Sequence, residues 1–556
     1  MRPRFHAGAS AGIGALLAAL LSAAPARATS VSEFPDNGSE QMARGGAWVA
    51  RASDPLAAFY NPAGLAGQRT ALTLQSHLTF QSTCFSRVKA ATDTSDDPLL
   101  QGDGTFPKVC NDAEPNLAPQ LGATFRITDR LGVGFVILGP SAAGNNTFPE
   151  FVDGPNGPTA PPNRFLLIRQ RGLVLFPTIS IGYEVIPGLR IGVGLTWGIA
   201  TLRLATSSLS LNQDGLDPKN EVRGNLQVKD LFVPGATLGA LYSPVPWLDV
   251  AGTYRVSDAI RARGDVGLAT NYYDPKNARG DASNVRYGDS VFSDCGTGRD
   301  TAVCGDGGNA TLKLPIPMEA KLGFRFHKPR AVGPQPVEPN ASGDTKEHVV
   351  VVPRPRDPIA DDQFDAELDL TWAHNSALDA VEIRFPSDAN GDGTIPVSGV
   401  PTGAVPPNAD VPKQYRDVLG VRLGGDYNLL ADRLAVRAGG FFESKAQDNR
   451  YQSLDMAGTA RVGFGLGLTF RQRLGANMAL DLMAGYGHVF FMDSENRDPN
   501  AQGIQGLAGT PCNPPVSASG PNCPGGSQKY RANWPINLGT ITNSVNMVNL
   551  GATLRF

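Results

Sequence analysis

The chain has 556 residues, 41% of them apolar, with 64 glycines, 44 prolines and a formal charge of −3. That length could hold several soluble domains, yet a mildly acidic chain with no basic run gives no reason to invoke nucleic acid as a partner. Beyond the N-terminal segment no stretch of about eighteen apolar residues occurs, so the sequence offers no transmembrane helix.

Arg2 and Arg4 precede an apolar run from Ala11 to Ala24, and Ala26-Arg27-Ala28 supplies a small-x-small cleavage site. This is the pattern of a secretory signal peptide over 1–28, with Thr29 as the mature start; the rival reading is a buried N-terminal helix. Removing 1–28 takes away Arg2, Arg4 and Arg27 and moves the formal charge from −3 to −6. An exported membrane protein without spanning helices must be a closed barrel, because lipid cannot satisfy open backbone groups. Residues 29–68 show no strand alternation. Within them, Pro62 after Asn61 blocks helix continuation and fixes a turn, Ala63 and Gly64 permit close packing, and Leu65 offers an anchor.

From residue 69 onward the pattern has period two. Leu189, Ile191, Val193, Leu195 and Trp197 oppose Arg190, Gly192, Gly194 and Thr196, and Phe364 to Trp372 alternate with Asp365, Glu367, Asp369 and Thr371. Fourteen strands are expected, near 70–83, 118–128, 130–140, 164–185, 188–206, 223–243, 246–268, 311–326, 363–385, 414–428, 432–446, 457–472, 475–491 and 541–556. The last alternates Val548, Leu550, Ala552, Leu554 and Phe556 against Asn549, Gly551, Thr553 and Arg555, apolar toward lipid and polar toward a wet lumen. The reading is all-β: a 14-stranded antiparallel transmembrane β-barrel over 69–556. If the first strand rises from the periplasm, the inner turns are short and the outer loops long, the asymmetry such barrels show. The exception is 327–362, read as a Pro-rich periplasmic insert.

All six cysteines fall on the long-loop side: Cys84 and Cys110, Cys295 and Cys304, Cys512 and Cys523. An even count sorted two per loop in an exported protein suggests three intra-loop disulfides, with free thiols as the alternative. Asp388, Asn390, Asp392 and the Thr394 carbonyl have the oxygen spacing of a calcium loop, with Gly393 at the tight turn. The twelfth position is Gly399 where an EF-hand needs Glu, so the choice lies between a looser structural calcium site and an Asx-rich turn without an ion. His374 and Ser376 share a face with Trp372, and outer-membrane phospholipases carry such a pair. No orienting partner or oxyanion site is legible, so a polar rim position is the simpler reading and the chain is read as no enzyme. Arg437, Glu443, Arg461, Asp481 and Arg555 face the lumen, where mutual pairing is their expected role. Val136 and Leu138, apolar on the inward side of the third strand beside Gly139-Pro140, are candidates for a hydrophobic pocket at a strand irregularity.

The segment Gln41-Met42-Ala43-Arg44-Gly45-Gly46-Ala47-Trp48, followed by Phe59-Tyr60-Asn61-Pro62-Ala63-Gly64-Leu65, resembles the N-terminal hatch of the outer-membrane long-chain fatty acid and hydrocarbon transporters of FadL/TodX type. Leu314-Pro315-Ile316-Pro317, Asp369-Leu370-Thr371-Trp372, Asp432-Arg433-Leu434-Ala435-Val436-Arg437-Ala438-Gly439 and Val489-Phe490-Phe491 extend the resemblance along the chain. It implies that 29–68, with Asn61, Pro62, Ala63 and Gly64 at its centre, plugs the barrel as a hatch. It also implies a third strand kinked inward at Val136–Pro140 to open a lateral exit. The expected function is passive transport of hydrophobic molecules such as long-chain fatty acids across a Gram-negative outer membrane, without a cofactor. The expected partners are the hydrophobic solute, outer-membrane lipid and the barrel assembly machinery. A general or solute-selective porin is the alternative, and a lipid hydrolase centred on His374 and Ser376 the third reading. A transporter driven from the inner membrane is disfavoured, since such barrels carry about twenty-two strands and a larger plug.

Overall fold

The computed structural model describes residues 36–91, 97–112, 115–139, 145–208, 222–270, 273, 310–330, 356–384, 395–396, 404–405, 408–497 and 535–556. Outside them lie residues 1–28, expected to be a signal peptide, Pro140, most of the expected 327–362 insert, the Asp388–Thr394 segment and Cys295, Cys304, Cys512 and Cys523.

Fourteen antiparallel strands close into a barrel. They begin with β1 (Ala71–Arg87), β2 (Asn116–Arg126) and β3 (Leu131–Ile137). β4 is split into Arg169–Leu175 and Thr178–Ile186, while β5 (Leu189–Ser208) and β6 (Val222–Val245) run long. β7 (Leu248–Ser257, Ile260–Thr270), β8 (Ala310–Leu314, Glu319–Pro329) and β9 (Asp362–Ala373, Ala380–Arg384) are each broken once. β10 joins Asn408–Pro412 to Val418–Leu430, and β11 (Leu434–Glu443), β12 (Arg461–Arg473), β13 (Ala479–Phe491) and β14 (Gly539–Arg555) complete the wall. Closure is the pairing of β1 with β14, in register from Ala71 opposite Arg555 to Arg87 opposite Gly539.

The breaks have local causes. Pro177 divides β4, and Pro315 and Pro317 divide β8, because proline supplies no ladder donor. Several expected boundaries shift accordingly. Residues 164–168 form turns rather than the start of β4, β3 stops at Ile137 rather than at 140, and β10 gains the upper segment from Asn408. The insert is shorter than 327–362: 327–329 belong to β8, and Pro358–Asp361 make one helical turn leading into β9.

Through the lower two thirds of the wall, outward side chains are apolar and inward ones polar. Leu74, Ile179, Leu195, Leu423 and Leu550 are exposed on the outside, while Gln75, Ser180, Thr196, Arg422 and Asn549 are buried inside. No helix among the described residues is long and apolar enough to cross a membrane. The apolar belt on a closed barrel is what spans the bilayer, and the protein is an outer-membrane barrel.

Candidate functional site

The hatch fills the lower lumen. Residues 36–66 are buried throughout and form two short helices, α1 (Ser39–Ala43) and α2 (Ala57–Tyr60), then a 3-10 turn, Pro62–Leu65. Asn61 caps that turn: its Oδ1 accepts from Ala63 N at 3.1 Å, and its Nδ2 donates to the Val49 carbonyl at 2.8 Å. The hatch backbone lies against inward glycines of the wall. A side chain at Gly192 would collide with Pro62, at Gly439 with Arg44, and at Gly465 with the Met42 carbonyl. These glycines, which sequence alternation marks only as the non-apolar face, are where the plug is seated.

Electrostatics fix its position. Arg44 is fully buried and pairs with Asp365 and Asp426 at 2.6 Å each and with Glu367 at 3.1 Å. Arg51 pairs with the same Asp365 and with Asp426 at 2.9 Å. The amides of Trp48 and Val49 donate to Asp369, and that of Ala50 to Glu367 at 2.6 Å. The acidic stripe of β9, inward on alternate residues, is therefore the hatch's counter-charge. Asp36 bridges Lys321 and Arg422 at 2.7 and 2.8 Å, and Glu40 meets Arg437 at 3.3 Å. The other lumen charges pair along the wall: Glu443 with Arg461, and Asp481 with both Arg471 and Arg555.

Above the hatch the interior changes chemistry. Val174, Phe176, Ala200, Leu202, Leu226, Val228, Ile260, Ala262, Leu312 and Val381 are buried on the inner faces of β4 to β9, continuous with Leu56, Phe59 and Leu65 of the hatch. Phe59 stacks on Phe176 at 5.8 Å and carries the Arg255 guanidinium 4.4 Å from its ring centre. Sequence reasoning named only Val136 and Leu138 for this compartment. A signal for the rest is present in β5: apolar residues occupy odd positions to Trp197, then even positions from Ala200 through Leu204. The lower series faces lipid and the upper series faces inward, with a bulge in the β5–β6 pairing between Gly198 and Ala200.

Val136 and Leu138 are fully buried and join this apolar interior. β3 pairs with β2 only through Leu121–Arg126 and with β4 only through Thr178–Tyr183. The upper part of β2, Asn116–Gln120, is paired to β1 but has no partner among the described residues on its other edge. Beyond Ile137 the chain leaves the ladder: the Leu138 carbonyl still accepts from Phe176 N at 2.7 Å, and the Gly139 carbonyl accepts from the side chain of Asn37 in the hatch. This interruption of the wall and the hatch are thus directly bonded. Asn37 was not among the residues singled out from sequence.

Of the remaining candidates, Cys84 and Cys110 form a disulfide joining the tip of β1 to the short segment Val109–Cys110. His374 and Ser376 do not share a strand: β9 stops at Ala373, and Ser376 lies in a 3-10 turn. Ser376 Oγ donates to Asp417 at 2.6 Å and lies 3.2 Å from His374 Nδ1. The carboxylate thus takes the hydroxyl directly and the imidazole does not stand between them, so the three groups lack the relay order that activates a serine.

Comparison of the structure with solved ones gives the fold. A Pseudomonas aeruginosa FadL homologue superposes with a TM-score of 0.60 at 15% identity, covering 94% of this chain and 100% of that one. The Ralstonia pickettii toluene transporter TbuX and the Pseudomonas putida toluene transporter TodX each give 0.50, at 14% and 12% identity, covering 95% of this chain and 99% of theirs. No protein-family model and no curated protein sequence matches the chain. The fold is that of the FadL/TodX-type hatch-plugged barrels.

Proposed function

We propose that this barrel carries hydrophobic molecules passively across the outer membrane, by capture at the long-loop end, movement of the hatch and sideways release into lipid. The observation that carries the reading is the apolar interior of β4 to β9 meeting the wall interruption at β3, with the hatch bonded to that point through Asn37 and Gly139. A hydrophobic solute gains about 0.8 kcal/mol per buried methylene on entering such an interior, so capture requires no cofactor or energy source. The toluene-transporter and FadL-homologue neighbours support hydrocarbons and fatty acids as the solute classes.

The test is uptake of labelled toluene and of a labelled long-chain fatty acid by cells making the full protein. Phe176→Asp places a charge in the apolar interior and is expected to lower uptake of whichever is carried, with the barrel still heat-modifiable on gels. Wild-type uptake of both solutes in that variant overturns the reading. Large steady conductance of the intact protein in planar bilayers would favour a porin instead.

A further inference from the structure

The outward faces of β4 to β7 change character where the apolar belt ends. Leu173 on β4 and Leu231 and Phe232 on β6 are exposed, and Trp197 packs edge-to-face on Phe232 at 5.4 Å while donating its Nε1 to the Leu231 carbonyl. An aromatic pair at the upper rim of an apolar belt marks the membrane–water interface. Two residues further up, about 7 Å along each strand, stand Arg171 and Lys229, both exposed.

Each faces a like charge. Arg171 is directly opposite Arg203 on β5, and Lys229 directly opposite Arg263 on β7, all exposed. Directly opposed like charges destabilise an antiparallel pair unless an anion lies between them. Neighbouring cations are matched internally: Arg261 pairs with Asp258, and Lys313 with Glu382 at 2.7 Å. Among the described residues, no carboxylate lies within ion-pair distance of Arg171, Lys229 or Arg263. The nearby Asp230 carboxylate is taken by the amides of Phe232 and Arg261 at 3.0 and 2.7 Å.

We propose that Arg171, Lys229 and Arg263 form a binding surface for the phosphate groups of an outer-leaflet glycolipid, whose acyl chains lie against Leu173, Leu231 and Phe232. The height of the cations above the belt is that of a lipid headgroup, and guanidinium forks match phosphate oxygens in bidentate pairs. A lipid with two phosphates would supply one anion for the opposed Lys229–Arg263 pair and one for Arg171. Arg171 also lies on β4, the strand bordering the wall interruption, so the bound lipid would stand beside that edge.

The experiment is native mass spectrometry of the full chain in a zwitterionic detergent, titrated with bis-phosphorylated lipid A, with its dephosphorylated counterpart, and with inorganic phosphate. Lipid A is expected to be retained at least about tenfold more tightly than the dephosphorylated form, and K229Q/R263Q to lose about that factor. R130Q, at a turn on the opposite end, is expected to change nothing. Thermal unfolding of K229Q/R263Q without lipid is expected to be unchanged or raised, because the repulsion is relieved. The proposal is overturned by equal retention of the dephosphorylated lipid, by displacement with an equal concentration of inorganic phosphate, or by full retention in K229Q/R263Q. A lowered unfolding midpoint without lipid would also overturn it, assigning these cations to the fold itself.

Discussion

Arg44 shows how much of the plug rests on single side chains. Its guanidinium bridges three buried carboxylates, so Arg44→Ala leaves Glu367 without an ion-pair partner among the described residues, and leaves Asp365 and Asp426 to Arg51, Arg325 and Arg437. Removing one partner of a buried charge cluster costs about 3–5 kcal/mol. Hydrogen exchange across 42–52 should accelerate in that variant while the amides of β12 and β13 stay protected; equal protection of the hatch would mean Arg51 holds it alone. Asp54 gives the hatch a pH dependence. Burial first, and the Glu40 carboxylate second, push its carboxyl up to about 7. A group whose docked pKa exceeds its free value near 4 stabilises docking fully below that value, and the contribution is lost as pH rises through about 7. Hatch amides, corrected for intrinsic rates, should therefore exchange faster at about pH 8 than at about pH 5. Asp54→Asn should flatten the difference, since the amide oxygen can still accept from Leu56 N. A slope surviving in Asp54→Asn would assign the titration to another group.

At the level of elements, the third strand is the decisive one. β3 is seven residues long between neighbours of eleven and a split sixteen, and its departure at Leu138 leaves Asn116–Gln120 of β2 without a partner on that edge among the described residues. Its carbonyls are reused at once, by Phe176 in the wall and by Asn37 in the hatch, so the departure is a bonded geometry rather than a frayed end. Asn37→Ala removes the hatch side of that link without touching the ladder. Single-channel records of the variant should show more frequent brief openings than wild type. Records indistinguishable from wild type would uncouple the hatch from β3.

The whole molecule is a barrel whose lumen is charged and plugged below and apolar above. Deleting residues 36–67 should therefore raise planar-bilayer conductance sharply, because the hatch occupies the lumen from α1 to the Asn61 turn. A deletion variant as tight as the intact chain would place the barrier elsewhere, in the segments that pack over the long-loop end around Phe85, Phe148 and Ile541.

Period-two alternation, read against turn residues, determines by itself that the chain is a barrel of fourteen strands, because a wall between lipid and lumen imposes one chemistry on each face. The residues around Asn61-Pro62 by themselves mark only a turn, since a turn fixed by proline is a local property; the hatch is legible through the resemblance they carry. Breaks such as that at Pro177 displaced boundaries without changing the count. What only the tertiary structure decides is which inward residues meet. The inward Gly192, Gly439 and Gly465 read as mere gaps in an apolar pattern until the hatch backbone is seen against them. Asp365, Glu367 and Asp369 read as lumen charge, yet their partners lie more than three hundred residues earlier in the chain. The upper apolar interior is assembled from inward side chains contributed by successive strands from β3 to β10. Alternation records which face a residue is on; only closure of the barrel brings those faces together around a common space.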